Sequence, residues 1–105
     1  SMWRPFPGST TISMANAGVV GLATSLAVQI APVRVNVITP GVVGGTDAVD
    51  NADPVRAEAY EAARQRTPGK RLPTPDNIVD ASFALMDNRG INAANLVVDS
   101  AMHTI

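Results

Sequence analysis

The chain has 105 residues, which fits one small domain with a thin hydrophobic core. Its formal net charge of -1 leaves no basic footprint for nucleic acid or an anionic membrane surface, and with no cysteine and a single histidine it excludes disulfides, thiolate metal sites and histidine-rich metal sites. Hydrophobic residues make up 46% of the chain but aromatics only 4%, so a core must come from Val, Ala, Leu, Ile and Met.

Residues 3–9 read as a loop, because Pro5, Pro7 and Gly8 cannot continue a helix or a central strand. From residue 10 to residue 31 the pattern is helical: Ile12, Ala15, Val19, Leu22, Ala23, Leu26 and Ile30 recur at spacings of three and four. Ala15, Ala17, Gly18 and Gly21 leave room for a second backbone to approach. Asn16, Thr24, Ser25 and Gln29 interrupt the apolar run, so it is not read as a membrane span, and no signal peptide is recognised. The expected location is the cytoplasm. Pro32 stops the helix.

Residues 33–39 (V-R-V-N-V-I-T) form the best strand candidate, β-branched and bounded by Pro32 and Pro40-Gly41. Residues 41–52 read as a Gly-rich loop. Asp53-Pro54 then opens a helix over 53–66, with Asp as N-cap and Pro at the first helical position. Thr67-Pro68-Gly69 closes it. Thr74-Pro75-Asp76 repeats the start signal for a helix over 75–88, with Gly90 as its expected C-cap. Residues 95–99 (N-L-V-V-D) read as a short final strand.

The pattern predicts an α/β fold in which two parallel strands are joined by a right-handed helical crossover, with about three helices in all. Two parallel strands make a poor sheet, because such sheets are normally wider and covered on both faces. A strand as apolar as 33–39 would leave a bare edge. The expected remedy is oligomerisation.

Arg4-Pro5-Phe6-Pro7-Gly8, the helix A-G-V-V-G-L-A-T-S-L-A, then R-V-N-V-I-T-P-G (34–41), R-L-P-T-P-D-N-I (71–78) and L-V-V-D (96–99) follow one another in a single order. In that order they resemble the short-chain dehydrogenase/reductase family, from the loop before its catalytic helix to its C-terminus. The resemblance covers nearly the whole chain. It implies a single partial domain over residues 1–105: a truncated Rossmann-like fragment from a doubly wound fold that binds NAD(P).

The family's catalytic pair is Tyr-x-x-x-Lys at the start of this helix. Spacing of four puts both groups on one helical face, where the ammonium lowers the phenol's pKa and the phenol passes the proton. Aligned on A-G-V-V-G-L, Ile12 takes the tyrosine position and Asn16 the lysine position. Ile12 has no proton to give and Asn16 no charge, so no catalytic residue is assigned. Tyr60 and Lys70, the sole Tyr and Lys, stand either side of Pro68 and cannot share a helical face. His103 reads as a surface or interface residue.

On the cofactor side, the resemblance points to Pro40, Gly41, Val42, Val43 and Thr46 at the nicotinamide end, and to a substrate cavity of Phe6, Ile12, Asn16, Val43 and Tyr60. The Gly-rich phosphate loop has no counterpart, so no NAD(P) binding by this chain alone is expected. Ala93 stands where a Gly is usual and Ser100-Ala101 replace a usual Gly-Gly, which leads one to expect a rearranged C-terminal turn. The implied role is a catalytically inactive chain that self-associates through the 12–30 helix, the 33–39 strand edge or the C-terminal strand. The alternatives are the C-terminal part of an NAD(P)-dependent oxidoreductase, completed by a longer chain of the same family, and a small-molecule binder.

Overall fold

A computed structural model describes residues 7–105. The elements are α1 (Thr10–Gln29), β1 (Val37–Pro40), α2 (Asp47–Asp50), α3 (Pro54–Arg66), α4 (Pro75–Asp87), β2 (Asn95–Val98) and a closing 3-10 turn, η1 (Met102–Thr104). β1 and β2 pair as a two-stranded sheet. Its ladder is parallel: Val37 N donates to Ala94 O and Gly41 N to Val98 O, at 2.9 and 3.1 Å, advancing in the same sense along both strands.

The chain divides into two compact units. The described part of the first comprises residues 7–37 and Leu85–Leu96; the second comprises Ile38–Ala84 and Val97–Ile105.

In the first unit, α1 is apolar on all sides and only Ala23 and Ala27 along it are buried. Ile12, Met14, Val19, Leu22 and Val28 remain exposed. By length and composition alone α1 would suffice to cross a membrane. The helix ends at Gln29, with Ile30 N still donating to Leu26 O at 2.9 Å. It therefore stops just short of the residue 31 boundary expected from Pro32.

The strand predicted over 33–39 starts later in the structure, because before Val37 side-chain bonds alternate with one backbone bond, Ala93 N to Val35 O at 2.9 Å. Val35 N donates to Asn92 Oδ1 at 3.0 Å, Ala94 N donates to Asn36 Oδ1 at 3.0 Å, and Asn36 Nδ2 donates to Ile91 O at 3.0 Å. Arg34 leaves the strand pattern altogether. Its guanidinium donates to the carbonyls of Leu85, Met86, Asn88 and Ile91, closing the C-terminal end of α4, where unpaired carbonyls collect. Gly90 is not the left-handed cap that was expected: Asn88 Oδ1 accepts its N–H at 3.1 Å, and the side chain makes the turn instead.

In the second unit the helix starts follow their sequence signals. Asp53 caps α3 by accepting from Arg56 N at 2.9 Å, with Pro54 at the first helical position. Such a cap contributes about 1 kcal/mol. Thr74 and Asn77 cap the start of α4 reciprocally: Asn77 Oδ1 accepts from Thr74 N at 2.8 Å and Thr74 Oγ1 from Asn77 N at 3.3 Å. The segment 41–52, expected to be a loop throughout, contains the single turn α2, whose Val49 and Asp50 N–H groups return to Thr46 O. Thr67 is fully buried and ties off α3, donating to Arg64 O and accepting from Arg71 N at 2.8 and 3.1 Å. Ala63 is the buried apolar residue of α3.

Candidate functional site

The residues expected at a nicotinamide end, Pro40 to Thr46, lie together in one segment that leaves the carboxyl end of β1. Gly41 passes against Asp99, which follows β2. A Cβ at Gly41 would stand 2.6 Å from the Asp99 Cβ and 3.0 Å from its Cα, so only glycine fits. Further on, Gly44 N donates to Pro73 O at 2.9 Å. Thr46 Oγ1 donates to Val43 O at 2.9 Å, so this hydroxyl closes its own loop.

Beside this segment is an open cleft of about 490 Å³. Val49, Ala57, Tyr60 and Leu72 give it an apolar lining, and Asp50, Glu61, Arg64, Lys70, Arg71 and Thr74 a polar one. Arg64 is fixed across it: Nε and Nη2 reach the two Glu61 carboxylate oxygens at 2.9 and 2.5 Å, and Nη1 donates to Lys70 O at 2.9 Å. Hydrogen bonds from Arg64, then from Gln65, pull the Glu61 carboxyl down to about 2, and Glu61 in turn raises the Arg64 pKa. Of the residues expected around a substrate cavity, Tyr60 lines this cleft and is half-buried. Val43 adjoins the lining through Gly44. Ile12 and Asn16 stand one helical turn apart on α1, both exposed, and are not part of the lining. Phe6 lies outside the described residues.

A pair that the sequence reading did not anticipate closes the second unit. Asp99 is buried, at 8% exposure. Its Oδ2 accepts from His103 N at 2.9 Å, and His103 Nδ1 lies 3.0 and 2.9 Å from Oδ1 and Oδ2. The D-x-x-x-H spacing was visible in the sequence, but the burial of Asp99 was not. Ser100 and Ala101, with φ of 55° and 65°, turn the chain so that residue 103 returns over residue 99. The replacement of glycine has therefore not moved this turn out of the left-handed region, and Ala93 holds φ 57° likewise.

A family profile described as enoyl-(acyl carrier protein) reductase matches residues 2–103. The chain belongs to the short-chain dehydrogenase/reductase family. It is 30% identical over 99 residues to the short-chain dehydrogenase/reductase malC of Malbranchea aurantiaca, covering 94% of this chain and 38% of that protein. The solved structure of that fungal protein, described as a reductase/Diels-Alderase, superposes with a TM-score of 0.90 at 29% identity, over 99% of this chain and 40% of the other. Nodulation protein G of Azospirillum brasilense is 38% identical over 73 residues, covering 68% of this chain and 28% of its own length. The FolM alternative dihydrofolate reductase 1 of Brucella suis, solved with NADP, shares the fold at 20% identity and a TM-score of 0.77, over 99% of this chain and 38% of its own.

This short-chain dehydrogenase/reductase chain thus spans about two fifths of the length of malC. The residues present do not fit a complete dinucleotide site. The eight glycines include no G-x-x-x-G-x-G run, and the Thr46 hydroxyl is bound within its own loop.

Proposed function

We propose that this chain acts by association with a second copy of itself, through α1, and does not carry out the proton and hydride chemistry of its family. The observation that carries this reading is the character of α1. From Thr10 to Gln29 the helix has no ionisable side chain, while Ile12, Met14, Val19, Leu22 and Val28 stand exposed. A helix with that surface has no proton to relay and a large apolar area to cover. Ile12 and Asn16, at the positions of the family's Tyr and Lys, cannot replace them. The β1 edge and the C-terminal strand offer secondary contacts.

Light scattering over a range of concentrations tests the association, with Leu22→Glu as the comparison. Leu22 is 58% exposed, so the substitution leaves the buried core intact. The expected result is a dimer or larger species that Leu22→Glu dissociates. A folded monomer at every concentration overturns it. In parallel, the purified chain is expected not to oxidise NADPH with ketone or enoyl substrates, and turnover without another chain overturns the inactive reading.

The malC match favours a second reading, in which the chain is the C-terminal part of an NAD(P)-dependent oxidoreductase completed by a longer chain of the family. NADPH oxidation that appears only when this chain is mixed with such a partner supports it. Tyr60 and the cleft beside it would then serve as part of a small-molecule site.

A further inference from the structure

We infer that Asp99 and His103 form a proton-transfer site beyond the carboxyl end of β2, acting on activated acyl groups. Both residues lie within the second unit.

A carboxylate can only accept hydrogen bonds. Asp99 is buried and faces His103 Nδ1 at 2.9 Å, so in the neutral imidazole the ring hydrogen belongs on Nδ1 and the lone pair on Nε2. Nε2 makes no hydrogen bond to any described residue, and the imidazole is 39% exposed. The ring is thus oriented by a buried anion and offers its basic nitrogen, the relation that a carboxylate has to a general-base histidine in hydrolytic enzymes.

The backbone fixes both members. Gly41 packs on the Asp99 Cβ, so the carboxylate has little room to shift. Met102 N donates to Asp99 O at 3.1 Å and Thr104 N to Ala101 O at 3.0 Å, holding η1 over Asp99. Two left-handed non-glycine residues, Ser100 and Ala101, bring His103 there, a backbone conformation that side chains other than glycine rarely adopt. Ligands of open α/β sheets bind outside the carboxyl ends of parallel strands, where Gly41 and Asp99 stand.

The chemistry is hydrolysis of an activated ester. Nε2 takes a proton from water as the water oxygen adds to the acyl carbon. The tetrahedral intermediate then expels the leaving oxygen with the electrons of its C–O bond, and that oxygen recovers the proton from Nε2. Ester and water become acid and alcohol, with no oxidant or reductant. His103 is the catalytic residue and Asp99 a positioning residue.

The test is hydrolysis of 4-nitrophenyl acetate by the intact chain, His103→Gln and Asp99→Asn, together with imidazole ¹⁵N spectra. The intact chain is expected to exceed equimolar N-acetylhistidine by at least about tenfold, below the usual contribution of a positioned general base. His103→Gln should fall to the uncatalysed rate. Asp99→Asn should lose most of the excess, with its ¹⁵N spectrum moving from the Nδ1–H tautomer to a mixture, a change that mere loss of packing would not give. A rate equal to N-acetylhistidine, an unaffected His103→Gln variant, or an Nε2–H tautomer in the unmodified chain overturns the proposal. The last measurement holds even where Asp99→Asn fails to fold.

Discussion

Gly41 and Asp99 approach each other so closely that one methyl group cannot be placed between them. The atoms that a Gly41 Cβ would meet are the Asp99 Cβ at 2.6 Å and Cα at 3.0 Å, neither of which is the mobile end of a side chain. Accommodating alanine means separating the strand ends and stretching the Gly41 N to Val98 O bond. Gly41→Ala is therefore expected to destabilise the chain by about 1–3 kcal/mol, the usual cost of overpacking. Urea unfolding monitored by circular dichroism measures it.

Ala93, Ser100 and Ala101 are held at φ of 57°, 55° and 65°, where a Cβ is a steric penalty. Replacing Ala93 or Ala101 singly by glycine should stabilise the chain by roughly 0.5–1 kcal/mol, since relief of the left-handed strain exceeds the extra chain entropy glycine brings to the unfolded state. Ser100 and Ala101 are neighbours, so their glycine variants are expected not to add. Thermal unfolding of the three single variants and the Ser100/Ala101 double variant provides the check.

The same residues show what could and could not be read from the sequence. Helix starts were legible because their signals are local: Asp53-Pro54 and Thr74-Pro75 carry their caps within one turn. The start of β1 was not legible. V-R-V-N alternates like a strand, but the amides of Asn36 and Asn92 take over the ladder's bonds from across the fold. The turn at Ser100-Ala101 was expected to rearrange on losing glycine, yet it stays left-handed, closed by the local bonds of Met102 N to Asp99 O and His103 N to Asp99 Oδ2. For the candidate sites, Tyr60 lines the open cleft without Ile12 or Asn16, and His103, read as a surface or interface residue, is exposed but also bonds the buried Asp99. That contact could not be read from the spacing alone, because the burial of Asp99 and its packing against Gly41 join residues far apart in sequence.

Arg34 donates to four carbonyls: Leu85 and Met86 at 2.8 Å, Ile91 at 2.9 Å and Asn88 at 3.2 Å. A planar fork with several fixed donors suits such a convergent set, and an ammonium does not. Arg34→Lys keeps the charge but should still cost about 2 kcal/mol, near the value for losing hydrogen bonds from a charged donor at a half-buried site. The loss should concentrate at the end of α4. Hydrogen exchange at the amides of 85–91 is expected to accelerate more than exchange elsewhere, and uniform acceleration would contradict this placement.

Glu61 links the cleft to pH. Its carboxyl is lowered from 4.5 to about 2 by the hydrogen bonds from Arg64 and Gln65. A folded-state value below the unfolded one means that the folded chain holds its proton less tightly. The pairing therefore stabilises fully above pH 4.5 and is lost as the pH falls through about 2. Both side chains of the ion pair are substantially exposed, so the effect should be modest and weaken in salt. Glu61→Gln is expected to lower stability modestly across the neutral range and to flatten the acid limb of the stability curve between pH 4.5 and 2, where the wild type loses the same contribution. Melting temperatures at low and high salt across that window distinguish this from general acid unfolding: the difference between wild type and Glu61→Gln should shrink toward pH 2 and in high salt, whereas a difference independent of both would mean that Glu61 acts by packing alone.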